Sequence, residues 1–140
     1  MANFTDEIRT ELIKNFSGGR EVCLAALSAF MRTGGSLIRT GGSYGFELAT
    51  ESELTAHFFA DMLENVFSTE ISDFRSRSDL ASGRDKRVFS CVNGNGTALL
   101  REMGVLGEDK DGLYVDFSVG SFIVSGEGCA EAFVKGAFLG

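Results

Sequence analysis

The 140-residue sequence contains no proline and no tryptophan, a single histidine and three cysteines. Without proline no position is barred from continuing a helix, and chain reversals fall to the 18 glycines and to asparagine. The lone histidine, His57, has no second imidazole for a metal site or a hydrolytic triad. Cys23, Cys91 and Cys129 form no CxxC pair, which argues against a zinc or thioredoxin-type site and predicts reduced, buried thiols in a cytoplasmic protein. No window approaches 18 consecutive apolar residues, and the start, MANFTDEIRTELIKNF, is acidic and amphipathic. The chain is expected to be soluble and unsecreted, with no membrane partner.

What is present is an ordinary globular composition, 44% apolar and 24% charged, in a length that suits one domain. The formal net charge of -7 argues against a protein that coats nucleic acid through charge alone. The charge is unevenly spread. Residues 70–101 carry six basic and four acidic side chains, whereas both flanking regions are acidic. Within this stretch, Phe74 to Arg87 holds Arg75, Arg77, Arg84, Lys86 and Arg87 against Asp79 and Asp85.

Helical spacing of Ile8, Leu12, Ile13 and Phe16 predicts a first helix over Phe4 to Phe16, with Thr5 as cap and Gly18-Gly19 as stop. REVCLAALSAFMR, Arg20 to Arg32, is apolar on nearly every side and predicts a helix buried all round, its small residues suited to a helix-to-helix seam. A hairpin follows, with strands near Ser36 to Thr40 and Tyr44 to Thr50 around Gly41-Gly42-Ser43. Thr50 and Glu53 suggest a capping box for a helix running to about residue 68. Strands near Glu70 to Arg77 and Lys86 to Val92 flank the basic loop SDLASGRD. Asn93-Gly94-Asn95-Gly96 turns the chain into a short helix capped by Thr97 and closed by Gly104. Gly112 to Val124 reads either as strand or as loop plus helix, and from Glu127 GCAEAFVKGAFLG resumes a helix rich in small residues. That abrupt end predicts a fragment of a longer protein. Shifted by 107 positions, Ala25, Leu27, Ala29 and Met31 fall on Ala132, Val134, Gly136 and Phe138, an echo expected of a duplicated half-domain with a truncated second copy.

The passage Leu27-Ser28-Ala29-Phe30-Met31-Arg32-Thr33-Gly34-Gly35-Ser36 resembles the LAGLIDADG motif of homing endonucleases, whose halves run αββαββα and pair through their motif helices. More closely, FTDEIRTELIK, LAALSAFMRTGGSL, FELATESE and AEAFVKGAFLG together resemble the N-terminal part of the WhiA family of sporulation and cell-division transcription regulators. The resemblance implies an α+β, LAGLIDADG-like αββαββα half-domain with an extra N-terminal helix. Its divisions would be an N-terminal helix over 1–19, a first half over 20–125 and the opening of a second over 126–140. It implies a nucleoid-associated DNA-binding regulator whose helix-turn-helix part lies outside this chain. In the nucleases a metal-binding acid precedes the last glycine of the motif. Gly34 stands at that place here, and a glycine has no side chain with which to bind a metal or organise a hydrolytic water. The expectation is a non-enzyme without cofactor or metal.

Under this resemblance Arg39, Arg75, Arg77, Lys86 and Arg87 are the candidate DNA contacts, on strands of a curved sheet or in its loop; a solvated strand face is the plainer alternative. Leu27, Ala29, Phe30, Gly34 and Gly136 are the candidate seam, through which an isolated half is expected to form a homodimer. Two other function classes stay open: a metal-dependent nuclease, and a protein-interaction module, which the acidic balance favours. Gly94-x-Gly96 lacks the third glycine of a phosphate loop and reads as a turn. Glu108, Asp109, Asp111 and Asp116 lack EF-hand spacing and read as a solvated loop.

Overall fold

A computed structural model describes residues 4–40, 43–79, 84–91, 95–110, 112–115, 126 and 128–139. The described elements are α1 (Phe4–Lys14), α2 (Arg20–Gly34), β1 (Gly35–Thr40), β2 (Ser43–Thr50), α3 (Glu53–Asn65), β3 (Ser72–Asp79), β4 (Arg84–Cys91), α4 (Asn95–Glu102), β5 (Leu106–Asp109), β6 (Gly112–Val115) and α5 (Cys129–Leu139). From α2 to α4 the order is αββαββα, in an α+β fold.

Two antiparallel hairpins, β1–β2 and β3–β4, join through their later strands into one sheet of order β1-β2-β4-β3. Period-2 alternation gives the sheet two distinct faces. Phe46 pairs with Cys91 and Leu48 with Phe89; all four are fully buried against the helices. Glu47, Ala49, Val88 and Ser90 alternate with them and lie on the other side, called here the outer face. Beneath the sheet an aromatic chain ties α2 and α3 to the segment that follows α1. Phe16 meets Phe58 edge-on at 5.3 Å, Phe58 meets Phe59 at 5.0 Å, and Phe59 lies against Phe30 of α2 at 4.4 Å. Such aromatic pairs add about 0.5–1.5 kcal/mol each beyond their burial.

α2 is buried from Ala25 to Met31, as an all-round apolar helix must be. One flank is covered by the chain's own α5. The approach is close enough that a Cβ at Gly136 would strike the backbone of Ala26.

Several local expectations are corrected. Thr50 does not cap α3: it remains in the sheet opposite Arg87, and its Oγ1 accepts from the Ser52 N–H at 3.2 Å. Ser52, the residue immediately before α3, is the cap and accepts from the Thr55 N–H at 3.1 Å. Thr97 does not cap α4, which already begins at Asn95. Its hydroxyl donates to the Tyr44 carbonyl at 2.7 Å and accepts from the Tyr44 N–H at 3.0 Å, fastening the helix to the start of β2. Gly104 closes α4 at φ +79, where glycine alone is unstrained. The basic loop is shorter than expected, since Ser78 and Asp79 pair with Asp85 and Arg84. β6 opens the region left ambiguous and pairs antiparallel with β5, a strand over Leu106–Asp109 that the sequence reading did not include. Gly41-Gly42, the tip 80–83, Asn93-Gly94, and the remainder of that region over 116–124 lie outside the described residues.

Candidate nucleic-acid interface

The five candidate DNA-contacting residues all lie on strands, but the register divides them between the faces. Arg75 pairs with Val88 and so joins the outer face with Lys86, two residues earlier on β4; Arg77 stands opposite Lys86. Arg39 pairs with Tyr44 and Arg87 with Thr50, both in phase with Phe46 and Leu48 on the helix side.

The side-chain contacts agree with this division. Arg75 Nη2 lies 3.4 Å from Glu47 Oε2 on the outer face, an exposed pair worth about 0–1 kcal/mol. On the helix side, Arg87 donates to Ser76 Oγ at 2.8 Å and reaches Glu53 of α3 at 3.8 Å. Arg39 lies over the Tyr44 ring at 5.8 Å. Arg75, Lys86 and the position of Arg77 thus share one face, and Arg39 and Arg87 lie on the other.

Where α2 runs into β1, a cavity of about 460 Å³ is lined by Arg9, Thr33, Gly34, Gly35, Ser36, Ala49, Thr50, Glu51 and Lys86. It is bounded by the outer-face residues Ser36, Ala49 and Lys86 and by Arg9 from α1. Gly34 is required there by packing, since a Cβ would meet the Ala49 carbonyl at 2.5 Å and the Phe30 ring at 2.9 Å. The donor set does not suit a divalent metal. Such ions need several oxygen ligands with carboxylate charge, whereas one carboxylate, Glu51, faces two cations here. Among the described residues no group of three or more His, Cys, Asp or Glu is arranged to hold one.

The candidate seam residues also separate. Gly136 abuts Ala26, a residue outside the expected set. Ala29 is buried, Leu27 and Phe30 belong to the core beneath the sheet, and Gly34 packs on β2. His57 is exposed on α3, 3.7 Å from Glu53. Arg9 was missed by sequence reasoning, because its place in the lining of this cavity depends on how α1 docks and no local spacing encodes that.

A four-stranded sheet with one helix-covered face, closed by a motif helix ending in two glycines, defines a LAGLIDADG-like scaffold. The sequence matches the family of the WhiA N-terminal LAGLIDADG-like domain over residues 20–106, and the chain belongs to that family. It is 25% identical over 140 residues to the probable cell division protein WhiA of Clostridium botulinum (strain Hall), covering 99% of this chain and 44% of that protein. The probable cell division protein WhiA of Clostridium novyi is 27% identical with the same coverage, and that of Lachnospira eligens 25% identical over 98% of this chain and 43% of that protein. The chain therefore spans under half the length of these relatives. Among solved structures, full-length DUF199/WhiA from Thermatoga maritima aligns over 99% of this chain and 39% of its own, with TM-score 0.65 and 14% identity. The N-terminal LAGLIDADG domain of DUF199/WhiA aligns over 99% and 58%, with TM-score 0.62 and 14% identity. These likenesses establish the fold. Among the described residues no helix is long and apolar enough to cross a membrane.

Proposed function

We propose that this chain is the first half of a catalytically silent LAGLIDADG-like scaffold in a DNA-binding regulator of cell-division and sporulation transcription, acting in the cytoplasm on the nucleoid. The outer face of the four-stranded sheet lies on duplex DNA. The observation carrying this reading is the register, which gathers Arg75, Lys86 and the position of Arg77 on the face opposite Phe46, Leu48, Phe89 and Cys91. Arginine and lysine on a sheet face suit phosphate contacts. With Glu47 beside Arg75 and a net charge of -7, this face positions DNA, and most of the affinity comes from elsewhere in the regulator.

α5 opens a second half at residues 126–140, after the N-terminal helix over 1–19 and the first half over 20–125. Support comes from Val134 and Phe138, 67% and 44% exposed at positions equivalent to the fully buried Leu27 and Met31. In the isolated chain this strip pairs with a second copy. The non-enzymatic reading is supported by the cavity at Gly34, where a single carboxylate, Glu51, lies with Arg9 and Lys86 in place of a set of metal-binding acids.

Fluorescence anisotropy with a labelled duplex across a salt titration tests the reading. Saturable binding is expected, with log K falling against log salt at a slope of roughly -0.9 per phosphate contacted. Absence of binding at low salt contradicts it. Supercoiled plasmid incubated with the chain and Mg²⁺ is expected to stay intact, and nicking contradicts the non-enzymatic part.

A further inference from the structure

The β5–β6 hairpin takes no part in the four-stranded sheet to which the DNA contact is assigned. It forms a separate two-stranded sheet, and among the described elements β5 rests on α4 whereas β6 packs substantially on β5 alone. A two-stranded hairpin without a further partner is marginal in water. We propose that the outer edge of β6 is a docking site for an extended, basic peptide segment of another protein, which adds to it as a third strand and lays a lysine or arginine on the Tyr114 ring.

Three observations carry the proposal. First, Tyr114 and Val115 are 48% and 43% exposed. Successive strand residues point to opposite faces, so neither face of β6 is covered there, and among the described residues no strand lies along its outer edge. Such an edge presents backbone N–H and C=O groups to an incoming extended chain. Second, the Tyr114 ring is already in place. It stands opposite Gly107 and lies across it, where a Cβ would collide with the ring and its hydroxyl. A tyrosine laid down in this way is an anchor with little side-chain freedom left to lose, and an exposed aromatic ring attracts a cation. Third, charge selects the partner. The segment from Leu106 to Asp116 contains Glu108, Asp109, Asp111 and Asp116 against Lys110, four acids to one base. Glu108 and Asp109, expected from the sequence in a solvated loop, stand on β5. A second copy offering the same edge would set like charges together, whereas a basic strand meets opposite ones.

The test is an NMR titration of the ¹⁵N-labelled chain, at fixed ionic strength, with a short synthetic peptide alternating lysine and valine. A glutamate–valine counterpart and a lysine–valine peptide interrupted by proline serve as comparisons. Saturable shifts at the Leu113, Tyr114 and Val115 amides are expected from the first peptide only, with slower hydrogen exchange along β6 when it is bound. Tyr114→Ser is expected to weaken binding by about tenfold, Tyr114→Phe to restore it to within about threefold, and Glu108→Lys/Asp109→Lys to weaken it by more than about tenfold. Glu7→Lys/Glu11→Lys, the same change of charge placed on α1, should alter it by less than about threefold. Urea midpoints are measured for each variant, and should Tyr114→Ser lose the hairpin, the phenylalanine and charge-reversal variants decide. Equal affinity for the glutamate or the proline peptide, or in a folded Tyr114→Ser, overturns the proposal. So does a titration without shifts, and so do shifts without slowed exchange, which a charge contact alone would produce. β6 amides that exchange slowly in the free chain also overturn it, since the edge is then occupied by the chain itself or by a second copy. The hairpin stands apart from the four-stranded sheet, so each of these outcomes is independent of whether duplex binds there.

Discussion

α2 and α5 share a rhythm of small and large residues but have different surroundings. At the small positions they agree: Ala25 and Ala132 are buried, and so are Ala29 and Gly136. At the large positions they part. Leu27 and Met31 are fully buried, whereas Val134 and Phe138 are 67% and 44% exposed. The small residues need only the partner helix, which is present within the chain; the large ones need a sheet beneath them, and among the described residues only α2 has one. The same pattern is therefore a core helix in one case and a half-covered helix in the other.

The comparison is broken or sharpened by substitution, beginning with the large positions. Leu27→Ala is expected to lose about 3–5 kcal/mol in urea denaturation, and Val134→Ala less than about 0.5 kcal/mol. Equal losses would mean that α5 is covered on its outer side. Gly136→Val is expected to lose about 1–3 kcal/mol, because its branched side chain has to enter the space of the Ala26 backbone. An unchanged midpoint would put the seam elsewhere. The double variant Val134→Ser/Phe138→Ser should keep the parent's urea midpoint to within about 1 kcal/mol and sediment as a monomer at concentrations where the parent self-associates. A parent that is itself monomeric contradicts pairing through this strip.

The smallest effect concerns the thiols. Burial raises the Cys23 thiol above its ordinary range, and burial with Glu64 nearby pushes Cys91 up to about 12. Folding thus keeps these protons on, so their contribution to stability is intact below the unfolded thiol value of about 8.5 and falls as pH rises beyond it. Under a thiol reagent at pH 8, Cys129 at the first residue of α5 should react ahead of Cys23 and Cys91, since helix ends fray locally. Mass spectrometry of the singly labelled chain reads the order, and early labelling of Cys23 would reverse the ranking of the two helices.

Much of this architecture was legible in the sequence, because helical spacing and glycine stops act locally. The order αββαββα follows from alternation and periodicity alone. The caps were harder, since Thr50 and Ser52 are both good cap residues, and only the pairing of Thr50 with Arg87 decides between them. Thr97 looked like a cap until Tyr44, 53 residues away, proved to be its partner. One signal was available and unused: Lys86 and Arg87 are adjacent in a strand, so alternation alone sends them to opposite faces. Arg9 carried no such signal, because the docking of α1 through Phe16 and Phe58 is a tertiary event.

The claim that the outer face is the working surface is tested most directly by duplex anisotropy on two charge-reversed variants with identical net charge. Arg75→Glu/Lys86→Glu alters the outer face, and Arg39→Glu/Arg87→Glu alters the helix side. The account predicts a loss of about tenfold or more for the first and less than about threefold for the second. Equal losses, or a greater loss from the helix-side pair, would contradict it.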